Sequence, residues 1–285
     1  MDNGNEIRDF LVSRRARITP EQAGLPVYGG NRRVAGLRRE EVALLAGVSI
    51  DYYTRLERGR APGASERVLE GIARALHLDE AERAHLFDLA RAAAPAGPRA
   101  PRRPARQQVR PSVRRILDSM ASAPAYVRNA RMDILAANRL GAALLAPVIT
   151  SPAKPANNAR FLFLDPAAPA FYPDWERQAQ DVVAMLRTQA GQTPHDKALS
   201  NLIGELSTRS ENFRTWWAAH NVRYHQTGVK RLHHPVVGDL ELSYEVMELS
   251  ADSGLTISVY SAEPGSGTQQ ALDLLASWTA TPAST

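Results

Sequence analysis

The sequence predicts two domains, an all-α domain over residues 1–93 and an α+β domain with a five-stranded antiparallel sheet over 112–279. Three observations carry this. The chain has 285 residues, 44% hydrophobic and 23% charged, the composition of a chain that buries a core, and at about 150 residues per domain it divides into two. Its composition breaks at APAGPRAPRRPARQQVRPS (94–112), which holds five prolines and five arginines. Finally, hydrophobic spacing is helical throughout the part before that break and mixed after it.

Before the break, apolar residues recur at helical spacing over Glu6–Arg17, Arg39–Ala46, Ser49–Arg58, Ser65–Leu76 and Asp79–Arg91. Ser49, Ser65 and Asp79 stand where an N-cap side chain satisfies the free N–H groups of a first turn. PEQAGLPVYGGNRRVAG, between the first two helices, carries too much Pro and Gly for a helix and is expected as an extended connection. Residues 94–111 form a linker, either a semi-rigid spacer or an arm whose arginines touch phosphate.

After the linker a helix is expected at Ser112–Ala123, then a hairpin over Ala125–Ala136 turning at Asn129–Arg131. Helices follow at Asn138–Leu145, Tyr172–Gln189, Asp196–Leu206 and Glu211–His220. Alternating and β-branched residues then place strands at Thr227–Val237, Asp239–Leu249 and Gly254–Ala262, separated by Gly238-Asp239 and Asp252-Ser253-Gly254 turns. A helix over Gln269–Trp278 and a polar tail, 280–285, end the chain. Two early strands, a run of helices and three late strands imply one sheet with helices on one face.

Charge points to a partner. Residues 1–110 hold 20 arginines and no lysine against 14 acidic residues, whereas the rest is nearly neutral, with 15 basic against 16 acidic. A polyanion such as DNA is therefore expected on the first domain. The absence of cysteine excludes disulfides, cysteine-ligated metal sites and catalytic thiols. The acidic start MDNGNEIRDF is not a secretory signal, and AALLAPVI (142–149) is too short to span a bilayer. A cytoplasmic, nucleoid-associated protein is expected, without membrane contact.

The segment LRREEVALLAGVSIDYYTRLERGR (37–60) is the strongest local signal. Ala43 is small enough to pack between two helices, Gly47 tolerates left-handed backbone in the turn, and Ser49 caps a second helix that buries Tyr53 and Leu56. This is a helix-turn-helix. It resembles the Xre-type DNA-binding domain shared with the phage λ-repressor family, over roughly residues 5–91.

The resemblance implies that the second helix of the motif enters the major groove, so that Ser49, Ile50, Asp51, Tyr52 and Arg55 face base edges. Arg55 is the base-reading candidate, because its fork matches guanine O6 and N7. Asp51 accepts from a cytosine amine or orients Arg55, and Ile50 or Tyr52 meets a thymine methyl group or the sugar-phosphate chain. Arg38, Arg39, Arg58 and Arg60 are expected on phosphates, which fix register rather than sequence. Glu57 is expected to pair with Arg14 or Arg15 of the first helix.

APAYVRNARMDILAANRLGAALL (123–145), NNARFLFLDP (157–166), WWAAHNV (216–222), HHPVVGDLELSYEVMEL (233–249) and SAEPGS (261–266) resemble, in family order, the ligand-binding domain of MmyB-like transcription regulators. The resemblance implies a PAS-like fold around a small apolar cavity and a fatty-acid-like effector. Phe161, Phe163, Trp216, Trp217, Tyr244 and Tyr260 are either walls of that cavity or plain core. Arg128, Arg160 and His220 are candidates to meet a ligand carboxylate, although Arg160, beside a DP turn, equally suits a structural ion pair.

The histidines 220, 225, 233 and 234 lack metal-ligand spacing, so no metal or other cofactor is expected. No G-x-S-x-G, P-loop or G-x-G-x-x-G is present, and no catalytic residue is assigned. The expected function is a sequence-specific transcriptional regulator, a homodimer on an operator in double-stranded DNA, whose second domain binds a small apolar effector. The alternative is a second domain that serves only dimerisation or partner recruitment.

Overall fold

Gly47 adopts φ 69° and ψ 35°, the left-handed conformation that a residue without Cβ enters freely, and so ends one helix and opens the turn to the next. In the computed structural model the described residues are 3–25, 34, 36–60, 63–93, 108–152, 154–220 and 227–280. Most of the expected extended connection, the linker up to residue 107 and the tail from 281 lie outside them.

The chain divides into two units. The first comprises residues 1–101, 187–201 and 215–224. Its N-terminal part holds α1 (Asn3–Arg17), α2 (Arg39–Ala46), α3 (Ile50–Glu57), α4 (Glu66–Ala75) and α5 (Glu80–Ala93). These are the five expected helices, with ends displaced by up to three residues. Phe10, Leu11, Val42, Tyr53, Leu56, Ile72 and Leu86 share one core. Each contributes about 1.5–3 kcal/mol by leaving water. A Cβ on Gly71 would stand 2.6 Å from the Ala46 carbonyl oxygen, so α4 meets the end of α2 at a separation only glycine permits.

The second unit comprises residues 102–186, 202–214 and 225–285. It begins with α6 (Pro111–Ser119), β1 (Ala125–Asn129), β2 (Ile134–Ala137) and α7 (Arg139–Leu144). Three short helices follow, α8 (Ala146–Thr150), α9 (Asn158–Leu164) and α10 (Ala168–Phe171). Then come α11 (Trp175–Gln192), α12 (Lys197–Arg209) and α13 (Glu211–Ala218), each of which contributes residues to both units. The chain closes with β3 (Thr227–His234), β4 (Gly238–Glu248), β5 (Leu255–Ser261) and α14 (Gly267–Ala280). The strands form one antiparallel sheet in the order β2-β1-β5-β4-β3.

Two expectations are corrected. No helices were expected between residues 146 and 171. That stretch is Pro-punctuated, and its helices rely on side-chain partners: Asn157 accepts from the Arg160 N–H at 2.9 Å, and Trp175 Nε1 donates to the Leu162 carbonyl at 2.8 Å. The sheet also has helices on both faces rather than one. Val113 and Leu117 of α6 pack on Ala125, Val127, Leu255 and Ile257, while the alternate residues Tyr126, Ser258 and Tyr260 face Val182 and Met185 of α11. Both parities of β1 and β5 are largely buried, so both sides need cover.

Candidate DNA-binding surface and ligand cavity

Within the first unit, α3 buries Tyr53, Leu56 and Glu57 and leaves Ile50, Asp51 and Arg55 exposed on its other side. Ser49 caps it, its hydroxyl accepting from the Tyr52 N–H at 3.1 Å. Tyr52 is half-buried, and the Arg55 guanidinium lies 5.9 Å from the centre of its ring, a cation–π distance that steadies the arginine without using its donors. Arg38, Arg39, Arg58 and Arg60 are all exposed beside this helix.

Glu57 ties the motif together. Its carboxylate, 1% exposed, accepts from Arg15 Nε at 3.0 Å and from Arg39 Nε on its other oxygen. Arg15, rather than Arg14, is thus the partner on the first helix, and it also donates to the Leu37 carbonyl at 2.8 Å. The hydrogen bond to Glu57 raises the pKa of Arg39. Arg38 contacts Glu40 at 3.3 Å, and its backbone N–H donates to Glu41 at 2.6 Å.

Arg14 belongs to a buried ionic cluster of the first unit. It pairs with Glu82 at 2.8 Å and donates to the His220 carbonyl. Arg187 donates to Glu6 at 2.9 Å and to the Trp217 carbonyl, 4.0 Å from the Trp217 ring centre. Burial pulls the pKa of both arginines down to about 10, which leaves them charged at neutral pH. His85, 2% exposed, packs edge-on against Phe10 at 5.1 Å. Burial and then the nearby arginines push its pKa down to about 3, as they do for His220.

The second unit holds a cavity of about 30 Å³ against the inner face of its sheet. β1 supplies Tyr126 and Arg128, β3 Lys230, β4 Tyr244 and Val246, and β5 Ser258 and Tyr260. From α11 come Gln178, Asp181, Val182 and Met185, while Met132 and Asn158 complete the wall. Tyr126 and Tyr260 stack with ring centres 6.2 Å apart. Burial raises the pKa of Tyr126, Tyr244 and Tyr260 to about 12, so their hydroxyls remain neutral donors. Buried Asn129, Asp133 and Asn157 brace this end: Asp133 accepts from Asn129 Nδ2 at 2.8 Å and from Asn157 Nδ2 at 2.7 Å.

Of the residues singled out from sequence for a ligand, the cavity brings together Arg128, Tyr244 and Tyr260. Phe161 packs edge-on against Phe171 and Tyr172, Phe163 against Phe213, and Arg160 pairs with Glu205 at 2.9 Å. Trp216, Trp217 and His220 belong to the first unit. His233 pairs with Asp239 at 2.6 Å and His234 bonds the Ala143 carbonyl at 3.1 Å, while His225 lies outside the described residues.

Sequence reasoning missed Lys230, Asp181, Gln178 and Tyr126. The one signal for Lys230 was the strand period, which puts it on the face of Leu232 and His234.

Two family models match the chain, one after the other. Residues 14–86 match a helix-turn-helix domain, and residues 109–275 match the MmyB-like transcription regulator ligand binding domain. No curated protein matches the chain. Among the described residues no helix is long and apolar enough to cross a membrane. With a DNA-binding motif in front and more than half of the chain in the ligand-binding model, the protein belongs to the MmyB-like transcription regulators.

Proposed function

We propose that the protein is a transcription regulator that binds an operator as a homodimer and answers to a small amphiphilic, fatty-acid-like effector, without catalytic activity. The observation that carries the ligand half is the cavity, which joins aromatic and aliphatic walls to two cationic side chains, Arg128 and Lys230. Its 30 Å³ is room for one or two waters, so an acyl chain enters only as Met132, Met185 and their neighbours yield. Methionine side chains suit that role, having three soft torsions. On DNA, Ser49, Ile50, Asp51, Tyr52 and Arg55 would face base edges while Arg38, Arg39, Arg58 and Arg60 hold phosphates. A twofold dimer would set two α3 helices about 34 Å apart on a palindromic site.

The same helix, α11, lines the cavity with Gln178, Asp181, Val182 and Met185 and carries Arg187. A ligand that prefers one position of α11 shifts the population of DNA-competent states; one that binds all positions equally shifts nothing. The test is a selected operator titrated with full-length protein, with and without saturated C8–C16 fatty acids, alongside native mass spectrometry. A dimer whose operator affinity changes severalfold with one chain length supports the reading. Unchanged DNA affinity and unchanged melting temperature across the series would leave a second domain that only assembles the protein.

A further inference from the structure

Resting on the ligand-responsive reading above, we infer that Arg187 is the positioning residue through which an occupied cavity acts on the DNA-binding helices, by holding α1 and the end of α13 to α11. α13 stops where His220 turns left-handed at φ 53°. The last carbonyls of a helix lack partners within it and together carry about half a negative charge. Three arginines from outside α13 meet them, all within the first unit. Arg187 donates to the Trp217 carbonyl, Arg14 donates to that of His220, and Arg17 approaches that of Ala219 at 3.4 Å. Arg14 and Arg17 share Glu82 on α5. Arg187 takes Glu6 on α1 at 2.9 Å and lies 2.9 Å from His220 Nδ1. One guanidinium, 1% exposed, therefore joins α11, α1 and the end of α13.

The place of Arg187 on α11 makes this joint sensitive to the cavity. Val182 and Met185 line the cavity, and Arg187 follows Met185 by two residues, about 3 Å of helix rise. One turn further on, Gly191 abuts His85 so closely that a Cβ would stand 2.8 Å from the ring carbon Cε1, and His85 packs on Phe10 of the first core. A helix carries a displacement along its length as a rigid element. A shift of about 1 Å would stretch a bond like that to Glu6 beyond hydrogen-bond range, and a buried charge that loses its partner is costly. The joint is therefore made or broken rather than smoothly strained. From Glu6 the path stays on α1, whose Arg15 bonds Glu57 of α3, the helix that faces DNA.

The test measures laurate binding by calorimetry on full-length protein, alone and with saturating operator duplex. Coupling is reciprocal, so the ratio of the two affinities equals the factor by which laurate changes operator binding. That ratio is expected to depart from one by at least about fivefold in the unmodified protein and by less than about twofold in Arg187→Gln, while both proteins bind laurate without DNA. Arg187→Lys keeps the charge but not the planar fork that serves Glu6 and a carbonyl together, and should recover only part of the coupling. If Arg187→Gln unfolds, Arg187→Met with Glu6→Leu, which leaves neither charge buried alone, carries the same comparison. A ratio undiminished in the variant overturns the proposal, makes the cluster a structural clamp only, and leaves the ligand-responsive reading standing. No laurate binding, or a ratio of one in the unmodified protein, overturns that reading and the proposal with it.

Discussion

Replacing Glu57 by alanine should destabilise the helix-turn-helix unit by about 3 kcal/mol, at the low end of the cost of removing one member of a buried ion pair. The structure supplies the reasons for that figure. Glu57 is 1% exposed and accepts from both Arg15 and Arg39. The Arg39 side chain is 44% exposed, so its half of the network is water-screened and belongs with surface pairs worth no more than about 1 kcal/mol. The Arg15 side chain is 13% exposed; without Glu57 its charge remains partly desolvated, although the bond to the Leu37 carbonyl persists. A loss of about 3 kcal/mol is a large fraction of the 5–15 kcal/mol that holds a typical domain. For a domain of this size it should lower the midpoint of the first unit by about 12–24 °C. Urea unfolding followed by circular dichroism, with calorimetry on the full chain, measures it. The double variant Glu57→Leu with Arg15→Met, which leaves neither charge alone, should recover most of the loss. A Glu57→Ala loss below about 1 kcal/mol, or a double variant no better than the single, would refute the reasoning, because it would mean that this carboxylate is not what clamps α1, α2 and α3.

Two further outcomes follow from other residues of the first unit. Arg55→Ala should relax base preference on a selected operator, whereas Arg58→Ala should weaken specific and random DNA alike and reduce the salt slope by about one; equal losses on both DNAs for both variants would undo that division. His85 has a folded pKa of about 3 against an ordinary 6.5, so its neutral form is the one the fold accepts. Stability from this group is fully present above pH 6.5 and is lost as pH falls from there toward 3, at up to about 1.4 kcal/mol per pH unit. His220 shifts the same way, also to about 3. His85→Phe should flatten the acid limb of urea midpoints measured from pH 7 to pH 4, and an unchanged limb would exclude His85 as its source.

What was legible in the sequence was what local chemistry determines. Gly47 with its left-handed backbone, Ser49 as a cap, and the helical spacing around Tyr53 and Leu56 specify the helix-turn-helix within two dozen residues. The turns at Gly238 and Asp252–Gly254, with alternation between them, specify the late strands, and residues 94–112 announce the break between domains. None of these needed a distant partner to be recognised. The three short helices between 146 and 171 did, since each is too short to hold without tertiary caps.

The candidate ligand site was legible only in part, for a physical reason. Its wall takes one to four residues from each of several elements, from Tyr126 on β1 to Tyr260 on β5, and nothing in a strand read alone says which parity faces inward when basic residues occupy both. Lys230 and Arg231 are neighbours of the same charge, and pairing Lys230 with Leu242 and Arg231 with Glu241 sends them to opposite faces; a slip of one residue would exchange them. Aromatic runs such as 216–217 attract attention in sequence, yet Trp217 packs under Arg187 in the first unit. The sequence by itself determined which elements form and that the first of them suit DNA, because those signals span a few residues. Sheet register and the packing of α11 decided which side chains share a cavity, because that depends on contacts between residues far apart in the chain.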